Sequence, residues 1–181
     1  MHAIDIVIAL GWAAFWIYWL VASVAAKGGR RGWNQYAGSR VAIVLIVLLL
    51  LRLNVLKHNG VTSAWMQGIG LGMFVLGLAL AVWARVDIGS NWGMPMSRKV
   101  HPELVTSGPY HTIRHPIYTG IILAMVGTTI AVSLYWLVAV AVLAAYFLYS
   151  AMMEERYMAE QFPDSYPDYR RSTKMLIPFV L

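Results

Sequence analysis

Long apolar runs separated by short polar gaps fill most of this chain. Residues 3–26 form the first run, 41–53 with their flanks the second, and 64–84 the third, before a polar segment over 85–114 breaks the pattern. Crossing the hydrocarbon of a bilayer takes about 20 apolar residues, and a helix can do so because it satisfies its backbone groups internally. The next run, 117–153, is about twice as long as one crossing needs. With Ala131-Val132-Ser133-Leu134-Tyr135-Trp136 near its middle, it predicts a tight helical hairpin. The expected fold is all-α, an integral membrane bundle of about five transmembrane helices, the last two forming that hairpin. Trp12, Trp33, Trp65, Trp83 and Trp136 fall near predicted helix ends, where interfacial belts favour tryptophan.

Composition strengthens the membrane reading. The chain is 60% hydrophobic and 12% charged, against about half apolar and a quarter charged in soluble domains, so it lacks the polar residues to cover a water-facing surface. Its net charge of +6 does not point to nucleic acid, because the basic residues sit in gaps between apolar runs and build no basic face. They report topology instead. Lys27, Arg30, Arg31 and Arg40 follow the first run, Arg85, Arg98, Lys99 and Arg114 the third, and Arg156, Arg170, Arg171 and Lys174 the last. In a five-span arrangement all three groups share one side, with only Arg52 and Lys57 opposite, which predicts an extracytoplasmic N-terminus and a cytoplasmic C-terminal tail. Ala22-Ser23-Val24-Ala25-Ala26 imitates a signal-peptidase site, but Asp5 and the lack of early basic residues predict a retained span.

Chemistry is narrowed by what is missing. With no cysteine, disulfides, thiolate metal sites and cysteine nucleophiles are excluded, and no metal is expected. Gly68-Ile69-Gly70-Leu71-Gly72 lies inside an apolar run with no strand before it, so it is read as small residues for close helix packing, with Gly68 and Gly72 on one face.

Polar and ionisable residues concentrate over 91–118 and 154–174, both predicted cytoplasmic, and the hairpin between them brings its two open ends together. In the first cluster, Gly108-Pro109-Tyr110-His111-Thr112-Ile113-Arg114-His115-Pro116-Ile117-Tyr118-Thr119-Gly120 combines restricted and permissive backbone with the donors Arg114 and His115. One reading is a loop that binds a carboxylate or phosphate. The other is a juxtamembrane turn whose Arg114 snorkels to lipid phosphates and whose Tyr118 joins the interfacial belt. The second cluster opens with Glu154-Glu155 at the end of the last apolar run. Placed at a helix C-terminus they would oppose the macrodipole and call for a cationic partner; a solvated helix end with a casual surface partner is the alternative.

Taken together, Leu104-Val105-Thr106-Ser107-Gly108-Pro109-Tyr110, Arg114-His115-Pro116-Ile117-Tyr118-Thr119-Gly120, Glu154-Glu155, Phe162, Tyr166, Tyr169 and Ile177-Pro178 resemble the signature of the isoprenylcysteine carboxyl methyltransferase family. The similarity runs over roughly 92–181 and extends to the membrane phospholipid methyltransferases. It implies a methyltransferase that binds S-adenosylmethionine in a cytoplasm-facing pocket and draws a lipophilic small molecule from the lipid bilayer. His101, Leu104, Val105, Tyr110, His115, Pro116, Ile117, Tyr118 and Glu154 are implied to form the cofactor site. Glu154 or Glu155 suits the cofactor's ammonium, and Arg114 with His115 its carboxylate.

The resemblance departs at Ser150, which stands where the eukaryotic prenylcysteine enzymes carry an arginine for the substrate carboxylate. Ser150 is therefore expected to face the acceptor, and a thiol or amine enters beside a carboxylate as a candidate. No side chain stands out as the base that a thiol or amine would need. On this reading 1–181 is one membrane domain, with N-terminal spans over 1–60 and the third span plus catalytic region over 61–181. The rivals are an NADPH-dependent membrane reductase of the sterol-reductase type and a non-enzymatic transporter or scaffold. Intramembrane charges lining a route, the expected mark of a transporter, are missing from the sequence.

Overall fold

A computed structural model describes residues 3–23, 60–93 and 103–177. The predicted second span, the basic group from Lys27 to Arg40, Arg52, Lys57, Arg98, Lys99 and His101 lie outside the described residues. Within them the chain forms α1 (Ala3–Ser23), α2 (Ala64–Ile88), α3 (Pro116–Val132), α4 (Leu137–Gln161) and the short α5 (Tyr166–Ser172). Short 3₁₀ turns cover Gly89–Asn91, Gly108–His111 and Leu134–Trp136. The protein is an all-α integral membrane protein. Among the described residues, α1, α2 and α4 with its leading turn are long and apolar enough to cross a bilayer. At 17 residues, α3 reaches about 26 Å, the short end of what a span needs.

The hairpin forms where the sequence placed it. Pro116 opens α3, tolerated there because a first-turn N–H has no helical partner anyway. Ser133 then turns extended, with φ −166° and ψ 130°. Trp136 N donates to Ser133 O at 3.2 Å, starting the turn that leads into α4.

The tightest packing joins α2 to α3. Gly70, Phe74, Gly77 and Ala81 meet Gly120, Ala124, Gly127 and Ala131 in antiparallel register, alternating steps of four and three residues on both helices. A Cβ at Gly70 would lie 2.5 Å from Ala131 N, and one at Gly127 would lie 2.5 Å from Gly70 O. Glycines stand where the backbones come closest, the geometry small residues permit in a membrane. Among the described residues, a Cβ at Gly68 or Gly72 would meet nothing within 4 Å. The expected packing face is thus corrected to nearly the opposite side of the helix, which carries Gly70 and Gly77. Across this pair lies α1, with Trp12 5.6 Å from Phe74 and donating Nε1–H to Thr128 Oγ1 at 3.1 Å. Leu10, Ile17, Leu20, Leu76 and Trp83 stay exposed, as lipid-facing residues should.

Two elements run longer than the apolar pattern indicated. Helix α2 continues through Ile88, because nothing breaks it before Gly89, whose φ of +54° closes it. Arg85 is consequently not a loop residue. It is buried in the last turn of α2, donates to Gly89 O at 2.7 Å and Ala22 O at 2.6 Å, and lies 4.9 Å over the Trp92 ring. One guanidinium thereby serves carbonyls at the ends of two helices. Helix α4 likewise runs to Gln161, which places Glu154 and Glu155 inside it rather than at its end. The dipole cost expected for them does not arise, since that effect is confined to the last turn.

A polar cluster at the open end of the helical hairpin

The loop leading into α3 is shaped from both sides. Gly108 adopts φ +52°, and a Cβ there would lie 2.8 Å from the Asp87 carboxylate; Ser107 Oγ donates to that carboxylate at 2.9 Å. Glycine meets both demands, a positive φ and a close approach. Pro109 and Tyr110 are buried behind the turn, and Tyr169 Oη donates to Tyr110 O at 2.7 Å. Burial pushes the Tyr110, Tyr166 and Tyr169 phenols well above their ordinary value, so all three stay protonated.

The segment after α5 crosses the start of α3. Ile113 and Lys174 form a parallel bridge. Arg114 N donates to Lys174 O at 2.8 Å, His115 N to Met175 O at 3.1 Å, and Thr119 Oγ1 to Leu176 O at 2.6 Å. Arg114 anchors this crossing. Its Nε lies 2.7 Å from Glu155 Oε1, and its Nη1 donates to Thr173 O at 2.6 Å and to Arg170 O at 3.2 Å. Glu155 is only 5% exposed and has Arg170 Nε at 3.5 Å from its other oxygen. A carboxylate so enclosed tolerates burial because a guanidinium saturates it.

Beside this pair lies a second group of polar atoms. Tyr118 Oη donates to Glu154 Oε1 at 2.6 Å, Ser150 Oγ donates to the same oxygen at 3.2 Å, and the two hydroxyls stand 3.3 Å apart. His115 stacks parallel on Tyr118 with centroids 5.5 Å apart, and Tyr118 stacks on Phe147 at 4.7 Å. The imidazole reaches toward both acids, with Nδ1 3.6 Å from Glu154 Oε2 and Nε2 3.7 Å from Glu155 Oε1. His115 Nε2 is buried, with no hydrogen-bond partner among the described residues. The Glu154 side chain is 26% exposed, whereas Ser150 is fully buried.

The hairpin therefore brings together Tyr110, Arg114, His115, Tyr118, Ser150, Glu154 and Glu155, drawn from both ends of the sequence pattern. Pro116 and Ile117 are buried in the first turn of α3, Val105 packs against the same apolar core, and Leu104 is half-buried beside it. His101 lies outside the described residues. Sequence reasoning did not single out Thr173, Phe147 or Asp87. Phe147 carried a signal, since it stands seven residues before Glu154 on α4 and so shares its face.

The profile of the phospholipid methyltransferase family matches residues 65–165. Among curated proteins, a cobalt-zinc-cadmium resistance protein of Cupriavidus metallidurans is 30% identical over 142 residues, 77% of this chain and 61% of its own length. Protein-S-isoprenylcysteine O-methyltransferase B of Arabidopsis thaliana is 29% identical, covering 64% of this chain and 61% of that protein. The methanethiol S-methyltransferase of a Pseudomonas species is 25% identical over 87% of this chain and 67% of that protein. This chain thus spans about three fifths of the length of the first two relatives. Among solved structures, the eukaryotic intramembrane Ras methyltransferase, isoprenylcysteine carboxyl methyltransferase, superposes with a TM-score of 0.55 at 25% identity, covering 83% of this chain and 54% of that one.

Proposed function

The chain belongs to the phospholipid methyltransferase family, and from that premise we propose that it transfers a methyl group from S-adenosylmethionine to a lipophilic acceptor at the open end of the α3–α4 hairpin. The observation that carries this reading is the pairing of a part-exposed carboxylate, Glu154, with a buried imidazole, His115, whose Nε2 lies 3.7 Å from Glu155 and has no hydrogen-bond partner among the described residues. The amino-acid end of S-adenosylmethionine is zwitterionic, so an acidic and a basic group side by side match it. Glu154 would hold the ammonium and His115 the carboxylate. Arg114, committed to Glu155 and to the crossing segment, would keep the His115 loop in place. Leu104, Val105 and Tyr110 would offer the apolar wall.

When bound, S-adenosylmethionine supplies an electrophilic methyl group on its sulfonium. The chain's own contribution is positioning and exclusion of water. The Tyr118–Phe147 stack and the fully buried Pro116 close the protein side of the cluster, while the lipid-facing surface of the hairpin offers a route for an acceptor already dissolved in the bilayer. A cytoplasmic position for the cluster, with the N-terminus extracytoplasmic, is supported by the lysine and arginine asymmetry. Family membership favours this reading over a reductase or a transporter.

The test is a set of titrations on the purified full chain with S-adenosylmethionine, S-adenosylhomocysteine and NADPH. Both S-adenosyl ligands should bind and NADPH should not. His115→Ala and Glu154→Gln should each weaken S-adenosylhomocysteine by about 1–3 kcal/mol, the range for a lost buried polar contact. Preference for NADPH, or unaltered affinity in both variants, would overturn the assignment.

A further inference from the structure

Glu154 is the one carboxylate of the cluster with a side chain both fixed from within and open outward. Its Oε1 receives two protein donors, Tyr118 Oη at 2.6 Å and Ser150 Oγ at 3.2 Å. Oε2 lies toward His115 Nδ1, 3.6 Å away. Glu155, by contrast, is enclosed by Arg114 and Arg170. Ser150 is fully buried and one helical turn before Glu154, and its hydroxyl touches both Tyr118 and Glu154. A side chain so placed cannot touch an acceptor arriving from lipid. It can fix the rotamer of the acid above it, which otherwise samples several conformations along three rotatable bonds.

We infer that Ser150 and the Tyr118 hydroxyl are positioning residues, which hold Glu154 in the orientation that receives the ammonium of the bound cofactor. This gives Ser150 a different role from the acceptor contact that its place in the sequence suggested. The inference rests on the proposed assignment of Glu154 to the cofactor's ammonium. Two donors on one oxygen leave the carboxylate a narrow range of orientations before any ligand arrives, and preorganisation of this kind lowers the ordering cost at binding. Tyr118 is itself held by its stacks on His115 and Phe147, so the chain of support runs from the apolar core of the hairpin to the acid.

The experiment compares S-adenosylhomocysteine with its deaminated analogue, which lacks only the ammonium, on the full chain in detergent micelles. Wild type should prefer the amine-bearing ligand. Ser150→Ala and Tyr118→Phe should each reduce that preference by roughly threefold to tenfold, the effect of one lost hydrogen bond, while affinity for the deaminated analogue stays level. Ser150→Thr, which keeps the hydroxyl, should restore most of the preference. In Glu154→Gln the preference should already be gone, and adding Ser150→Ala should cost nothing more, the non-additivity expected of groups that act as a unit. A merely structural role would weaken both ligands alike. If wild type binds without discriminating, the assignment of Glu154 falls. If wild type discriminates and both Ser150→Ala and Tyr118→Phe discriminate as well as it does, the positioning inference falls and the assignment of Glu154 stands. Tyr118→Phe keeps the ring and its stacks, so it decides the matter even where Ser150→Ala proves unstable.

Discussion

Toward α2, helix α3 presents Gly120, Ala124, Gly127 and Ala131, and the two backbones touch; toward α4 it presents Tyr118, and the meeting is one of hydroxyls, carboxylates and aromatic rings. The α2–α3 contact is also much the more extensive. In lipid, apolar side chains gain little by leaving the solvent, so close fit and hydrogen bonding do the work that water would otherwise do. One side of α3 uses the first device and the other side the second. A seam of glycines and other small residues fixes helix position by close fit, while a seam made of polar groups leaves a part-exposed carboxylate at its edge. Scaffold and candidate site are thus opposite faces of one short helix.

The polar face should break most severely. Arg114→Ala leaves Glu155 charged and enclosed, and should destabilise the chain by about 3–5 kcal/mol in denaturant titration. Replacing both partners, as in Arg114→Met with Glu155→Met, should recover much of that loss. A double replacement no better than the single one would mean the pair holds more than its own charges. On the small-residue face, Gly77→Ala and Gly127→Ala should each cost about 1–3 kcal/mol, because the added methyl meets backbone that cannot rotate away. Thermal unfolding in detergent reports this directly, and wild-type stability in both variants would show that the seam can open without penalty.

A smaller effect tests how the crossing segment is pinned. Tyr169→Phe removes the hydrogen bond to Tyr110 O and should cost about 0.5–1.5 kcal/mol. The same phenols give a pH signature. Their folded-state values are raised by burial, so the folded chain keeps protons that the unfolded chain loses above about pH 10. Stability is therefore full below that point and falls as pH rises beyond it. The alkaline decline should be shallower in Tyr169→Phe than in wild type. Smallest of all, Gly68→Ala and Gly72→Ala should be neutral or stabilising by up to about 1 kcal/mol, since the new methyl groups meet nothing among the described residues and helix propensity improves. Destabilisation there would assign the close-packed face wrongly.

Much of this architecture is legible in the sequence because hydropathy marks where a helix must run. The hairpin, its turn near Ser133 and the meeting of Arg114 with Glu155 all follow from one long apolar stretch with polar ends. What hydropathy does not encode is phase within a helix. Gly68, Gly70 and Gly72 look alike on paper, and only the partner surface on α3 selects Gly70. Arg85 reads as a loop cation because charge counting assigns each basic residue to the nearest gap, whereas carbonyls at two helix ends draw it inward. Ser150 is similar: its spacing from Glu154 is plain, but whether it faces a ligand or supports its neighbour depends on the Tyr118 hydroxyl, which comes from another helix.

The crossing of the α3 entrance by 173–176 sets an order of events during synthesis. Arg114, His115 and Thr119 take their partners from residues 56 to 60 positions further along the chain. Contacts of that separation form only after the intervening helices exist. Helix α2 can dock on α3 while α4 is still being made, so the scaffold precedes the site. The His115 loop gains its last partners only after Leu176 has been made, so the polar cluster closes later than the α2–α3 seam.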